Sequence, residues 1–166
     1  TPAIPPLCIR PISSLLQFLG LNGGQVLKDG QPVADWESAA ARNMAFLFVA
    51  YPEGLARERV IEMLWPEVSE AKGSSLFHST IYRLRTALYR DIIIHDKGRY
   101  QLNPDYSYRF DVLELQQLAR TGRGDDPAAC QARRQAIDLY HTPFLETCED
   151  YWAIQIRTSV DSIMLN

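Results

Sequence analysis

Apolar and polar positions along the chain change period several times, and each change marks an element. Leu15-Leu-Gln-Phe-Leu-Gly20 is a short apolar run that suits a strand. Gly23-Gly24 and Asp29-Gly30 mark turns, with a second strand at Gln25–Lys28 between them and a short third at Gln31–Val33. From Trp36 to Tyr51 the pattern turns helical, with Ala40, Met44, Leu47, Phe48 and Tyr51 on one stripe and Pro52 and Gly54 as stops. Ala56 to Trp65 predicts the next helix, halted before Pro66, with Ala56 a poor residue at its cap. Pro66 to Gly73 is polar and reads as a turn. Beyond it a helix is expected over about 74–90. Ile92–His95 and Arg99–Leu102 flank Asp96-Lys97-Gly98 as a hairpin with a glycine at its tip.

The helix at 74–90 has two unlike faces. Phe77, Ile81, Leu84 and Leu88 fall at i, i+4, i+7 and i+11, one apolar stripe. Ser75, Ser79, Tyr82 and Thr86 repeat that spacing about half a turn away, with His78 and Arg83 beside them. This second face is rich in hydrogen-bond donors and has no acid, as suits the anionic, acceptor-rich grooves of DNA. Helix, turn, helix, hairpin is the order of a winged helix-turn-helix.

Past Asn103-Pro104-Asp105 the pattern becomes wholly helical. Val112, Leu115 and Leu118 mark one helix, ended by Gly122 and Gly124. Pro127 opens another, with Ala129, Ala136, Ile137 and Tyr140. Phe144 to the end suggests a third. Paired helices of this size resemble tetratricopeptide units, of which roughly one and a half are present where about three are needed for stability. Together with the missing initiator Met, this predicts a piece of a longer protein. The four prolines of residues 1–13 read as a linker from an upstream region. The expected organisation is a linker at 1–13, a DNA-binding unit at 14–104 and the truncated start of a helical unit at 105–166.

Composition refines this picture. An apolar content of 46% fills an ordinary core. No stretch approaches a membrane span and no charged-then-apolar leader opens the chain, so a cytoplasmic location is expected. Cys8, Cys130 and Cys148 are odd in number and far apart, which predicts reduced thiols. His78, His95 and His141 are equally scattered, so neither a metal nor another cofactor is expected. The net charge is −3, but its distribution is uneven. Residues 74–99 hold five basic against two acidic side chains, +3, whereas residues 111–166 hold five against nine, −4. The positive charge therefore sits on the segment with the donor-rich face. The excess is modest and predicts weak, steeply salt-dependent binding by a lone monomer. A homodimer or a neighbouring domain is then expected to complete the interface.

The order of motifs resembles that of the SARP-type bacterial transcriptional activators. The resemblance covers about residues 15–160. It rests on Leu16-Gln-Phe-Leu-Gly20, Asp29-Gly-Gln-Pro-Val33 and Trp36, then Glu58-Arg-Val-Ile-Glu-Met-Leu-Trp-Pro66. Phe77-His-Ser-Thr-Ile-Tyr-Arg-Leu-Arg-Thr-Ala-Leu88 is similar to the recognition helix, Gly98-Arg-Tyr-Gln-Leu102 to the wing, and Tyr140 through Leu145, with Trp152, to the bacterial transcriptional activator domain. The resemblance implies an α+β winged helix-turn-helix with a small N-terminal antiparallel sheet and a C-terminal wing hairpin, followed by all-α tetratricopeptide-like helices. It implies binding to direct repeats in promoter DNA and contact with RNA polymerase. By position it assigns Ser75, His78, Ser79, Tyr82 and Arg83 to the major groove, with Arg83 bidentate on guanine. Arg85 stands at the family's Leu-Arg position, where it is expected on DNA phosphate or a neighbouring helix, Lys97 and Arg99 at the wing on the minor groove or phosphate, and Arg57 and Trp65 near backbone phosphate.

Enzymatic readings find no support. Gly20-Leu-Asn-Gly-Gly24 lacks the Lys-Ser/Thr of a phosphate loop, and no nucleophile elbow is present. The rival from another class is a protein-interaction or dimerisation module on a winged-helix fold that has lost DNA contact.

Overall fold

The computed structural model describes residues 15–165. The expected linker at 1–13 lies outside them. Strands β1 (Leu15–Leu19), β2 (Gln25–Lys28) and β3 (Gln31–Pro32) open the fold, followed by helices α1 (Ala39–Ala50), α2 (Arg57–Leu64) and α3 (Glu70–Ala87). A hairpin of β4 (Ile93–Asp96) and β5 (Arg99–Leu102) comes next, then strand β6 (Ser107–Phe110). Helices α4 (Asp111–Thr121), α5 (Pro127–Leu139) and α6 (Tyr151–Leu165) close the chain.

Local chemistry explains most boundaries. Leu16 and Phe18 are buried while their neighbours are partly open, the alternation of a half-covered strand. Both two-residue turns, Asp29-Gly30 and Lys97-Gly98, have positive φ at each position, the geometry whose twist matches a hairpin. Ser38 caps α1 through the N–H of Ala41, and Asp126 caps α5 through that of Ala129. Ala56 makes no cap bond for α2, as its residue type predicts.

Three expectations need correction. First, α3 begins at Glu70, not 74, and ends at Ala87. Ser69 caps it by accepting from the N–H of Lys72, so the stretch taken for a turn supplies its first helical turn. Gly73 sits inside the helix because a Cβ there would meet Ile61 Cγ2 at 2.6 Å, so α2 and α3 cross in close contact. Second, the N-terminal sheet is mixed. Its order is β3-β2-β1-β6, and β6 lies parallel to β1 with Leu16 opposite Tyr108 and Phe18 opposite Phe110. Tyr108 and Phe110 alternate with polar residues over only four positions, too short a run to stand out in the sequence. Third, Trp36 precedes α1 instead of starting it, because Glu37 adopts φ +60.

The core runs through the molecule as a chain of aromatic rings. Phe18 meets Phe46 edge-on at 5.4 Å between centroids, Phe46 and Phe110 each meet Phe144 at 6.1 Å, and Phe144 meets Trp152 at 6.3 Å. The loop between α5 and α6 is fastened to the β1–β2 turn as well. His141 and Thr142 donate their N–H groups to Leu21 O, and Leu145 donates to Gly20 O. The Asp111 carboxylate accepts from the N–H groups of Gly20 (3.1 Å) and Leu21 (2.8 Å). Arg157 on α6 donates to the carbonyls of Phe144, Leu145 and Cys148. Among the described residues, no helix is long and apolar enough to cross a membrane.

Candidate nucleic-acid interface

The period of α3 decides which side chains reach water. Phe77, Ile81, Leu84 and the capping residue Leu88 are buried, and Thr80 joins them. Ser75, His78, Ser79, Tyr82 and Thr86 are exposed, with Arg83 half-exposed, in one stripe along the opposite side. Tyr82 keeps 70% of its surface in water, far more than an aromatic ring without a partner ordinarily shows. Apolar residues therefore anchor the helix by the face that sequence spacing predicts, and its hydrogen-bonding face is left free.

The hydroxyls of this stripe are not idle. Ser79 donates to Leu76 O at 3.2 Å and Thr86 to Tyr82 O at 2.9 Å. Each turns its single proton into the helix and its lone pairs outward. Donation to a base or phosphate then requires rotation of the hydroxyl. His78 leans edge-on to Phe77 and stays exposed. Arg83 Nε lies 3.7 Å from Glu37 Oε2. Glu37 was not anticipated as part of this surface. The only sequence signal is Ser38, which as a cap leaves the residue before it outside the helix.

Arg85 departs from the group. Its Nη2 donates to Ile93 O at 2.9 Å, and its buried Nε has no partner. It ties α3 to β4 and turns away from the exposed stripe. The hairpin is held by further contacts. Leu55 exchanges backbone bonds with Tyr100 in both directions, at 2.9 and 2.8 Å, a one-residue bridge along the free edge of β5. Gly54, at φ +94, allows this approach, since a Cβ there would press on Tyr100 O at 3.1 Å. Tyr100 stacks on His95 at 4.2 Å and meets Phe77 of α3 edge-on at 4.9 Å. Lys97 and Arg99 project into water at the end of this braced hairpin. Arg57 pairs with its neighbour Glu58 at 3.2 Å, and Trp65 is half-buried against the core.

The arrangement is a donor-rich, nearly acid-free helix face beside a rigid cationic hairpin tip. It is suited to non-covalent recognition of a polyanion. Among the described residues no cluster of three metal-ligating side chains occurs.

No family model matches the sequence, and no curated protein sequence matches it. The fold is nevertheless shared with a solved structure, Mycobacterium tuberculosis EmbR in complex with a low-affinity phosphopeptide. That structure matches 90% of this chain at a TM-score of 0.70 and 18% identity. The chain spans 42% of that protein's length.

Proposed function

From a fold shared over 90% of the chain with EmbR, and from the two faces of α3, we infer a regulatory DNA-binding protein of the SARP type. In this reading α1–α3 and β4–β5 form a winged helix-turn-helix, and α4–α6 begin a tetratricopeptide-like activator unit within 105–166. The observation that carries the reading is the exposed stripe of Ser75, His78, Ser79, Tyr82 and Arg83 on a helix whose other face is fully buried. α3 enters the major groove, Arg83 takes the two acceptors of a guanine edge, and Tyr82 packs on sugar or base. Lys97 and Arg99 hold the flank by phosphate or minor-groove contact. Arg57 and Trp65 meet backbone phosphate. Arg85 serves indirectly, by fixing the hairpin against α3. Two copies on direct repeats and contact of the helical unit with RNA polymerase complete an activator that works in the cytoplasm, without cofactor or catalysis.

The test is selection of bound fragments from a sheared genomic library at low and moderate salt, with an Arg83→Ala/Arg99→Ala control. An enriched repeated motif that the control loses supports the reading. No enrichment at either salt overturns it for this chain. The second reading, a docking module without DNA contact, draws on the pairing of Arg83 with Glu37. Affinity for a protein partner that is insensitive to salt would favour it.

A further inference from the structure

Of the six side chains on the exposed stripe, Arg83 carries the one permanent charge, and in the free protein that charge already faces a carboxylate. Glu37 Oε2 lies 3.7 Å from Arg83 Nε, with the two side chains 57% and 42% exposed. The backbone holds Glu37 there, in the left-handed region at φ +60, one residue before the Ser38 cap of α1. The same segment brings Asp35 to the cleft that Arg83 and Thr86 line beside α3. The donor face is thus bordered by two acids that come from another element.

We propose that Glu37 is a positioning residue that restrains the affinity of the DNA interface by competing with DNA for Arg83. This rests on the DNA-binding reading above. Magnitudes decide how such a competitor acts. An exposed ion pair shifts an equilibrium by at most about fivefold. That is enough to cancel one loose phosphate contact, which is an ion pair of the same kind. A bidentate contact to guanine is worth about 5- to 150-fold, so a cognate base also draws Arg83 away from Glu37, and the lost pair is subtracted from that gain. Glu37 therefore weakens binding to both kinds of site, by up to about fivefold.

The experiment measures binding of the full chain and of Glu37→Gln, Arg83→Ala and the double variant to two probes across a salt series. One probe is a random-sequence duplex of about 30 base pairs, the other a duplex carrying the motif enriched from the genomic library. Glu37→Gln is expected to bind the random duplex about three- to fivefold more tightly, with a salt slope steeper by about 0.9, one added phosphate contact. Its affinity for the enriched duplex should rise by a similar factor, and the Arg83→Ala background should abolish both gains. A wild-type chain that binds both probes, with a Glu37→Gln variant indistinguishable from it, overturns this inference and leaves DNA binding intact. A gain that survives in the Arg83→Ala background also overturns it. Absence of binding by every variant overturns the DNA-binding reading itself, and this inference with it.

Discussion

At the scale of single residues, opposing effects of similar size meet at Asp111 and Gly73. Three backbone N–H groups, of Leu21, Gly20 and Val112, favour the ionised form of Asp111, but burial outweighs them and raises its pKa to about 7, with Glu114 adding a smaller push in the same direction. The folded state therefore binds this proton more tightly than the unfolded chain does. Its contribution to stability is complete below about pH 4 and is lost as pH rises through about 7. Asp111→Asn removes the titration, so its stability relative to wild type should rise by a few kcal/mol between pH 4 and 8. Urea unfolding at several pH values measures this, and a constant difference would refute the assignment. At Gly73, Ala brings a helix-propensity gain of about 1 kcal/mol, but its Cβ meets the stiff, β-branched Ile61 at 2.6 Å. Overpacking costs about 1–3 kcal/mol, so Gly73→Ala should lower stability, and the same change made in an Ile61→Ala background should cost less.

Elements follow the sequence where their signals are local. The stripe of Phe77, Ile81, Leu84 and Leu88, the Asp29-Gly30 and Lys97-Gly98 turns and the uncapped Ala56 were all legible, because periodicity, glycine and cap chemistry act over a few residues. The first turn of α3 was not. Pro66, Glu67 and Ser69 look like a loop, and nothing in the sequence reveals that Gly73 is required by a neighbouring helix 12 residues earlier. Arg85 was legible as a cation but not in its direction, since its acceptor at Ile93 depends on where the hairpin folds back. Glu37 was missed for a similar reason, because a left-handed φ in a non-glycine residue leaves no trace in composition. Ala56→Ser should strengthen α2 by about 1 kcal/mol, read as a higher urea midpoint with an unchanged slope. Arg85→Ala should loosen the hairpin and speed amide exchange at Ile93–Leu102, with a smaller effect in α1.

The whole molecule behaves as one packed body, although composition divides it near residue 104. Phe144 joins the two parts, wedged against Gly20, Phe46, Phe110 and Trp152. Phe144→Ala should cost about 3–5 kcal/mol and lower the stability of sheet and helices together. Circular dichroism and tryptophan fluorescence should then report one coincident transition, and two separated transitions would show that the parts fold independently. The parallel seat of β6 against β1 has a practical consequence for anyone who wishes to graft the exposed face of α3 onto another protein. A head excised after residue 104 would carry β1 as a bare sheet edge and an emptied aromatic socket, a surface prone to self-association. The portable unit instead extends through α6, so the helices that look like cargo are part of the same hull.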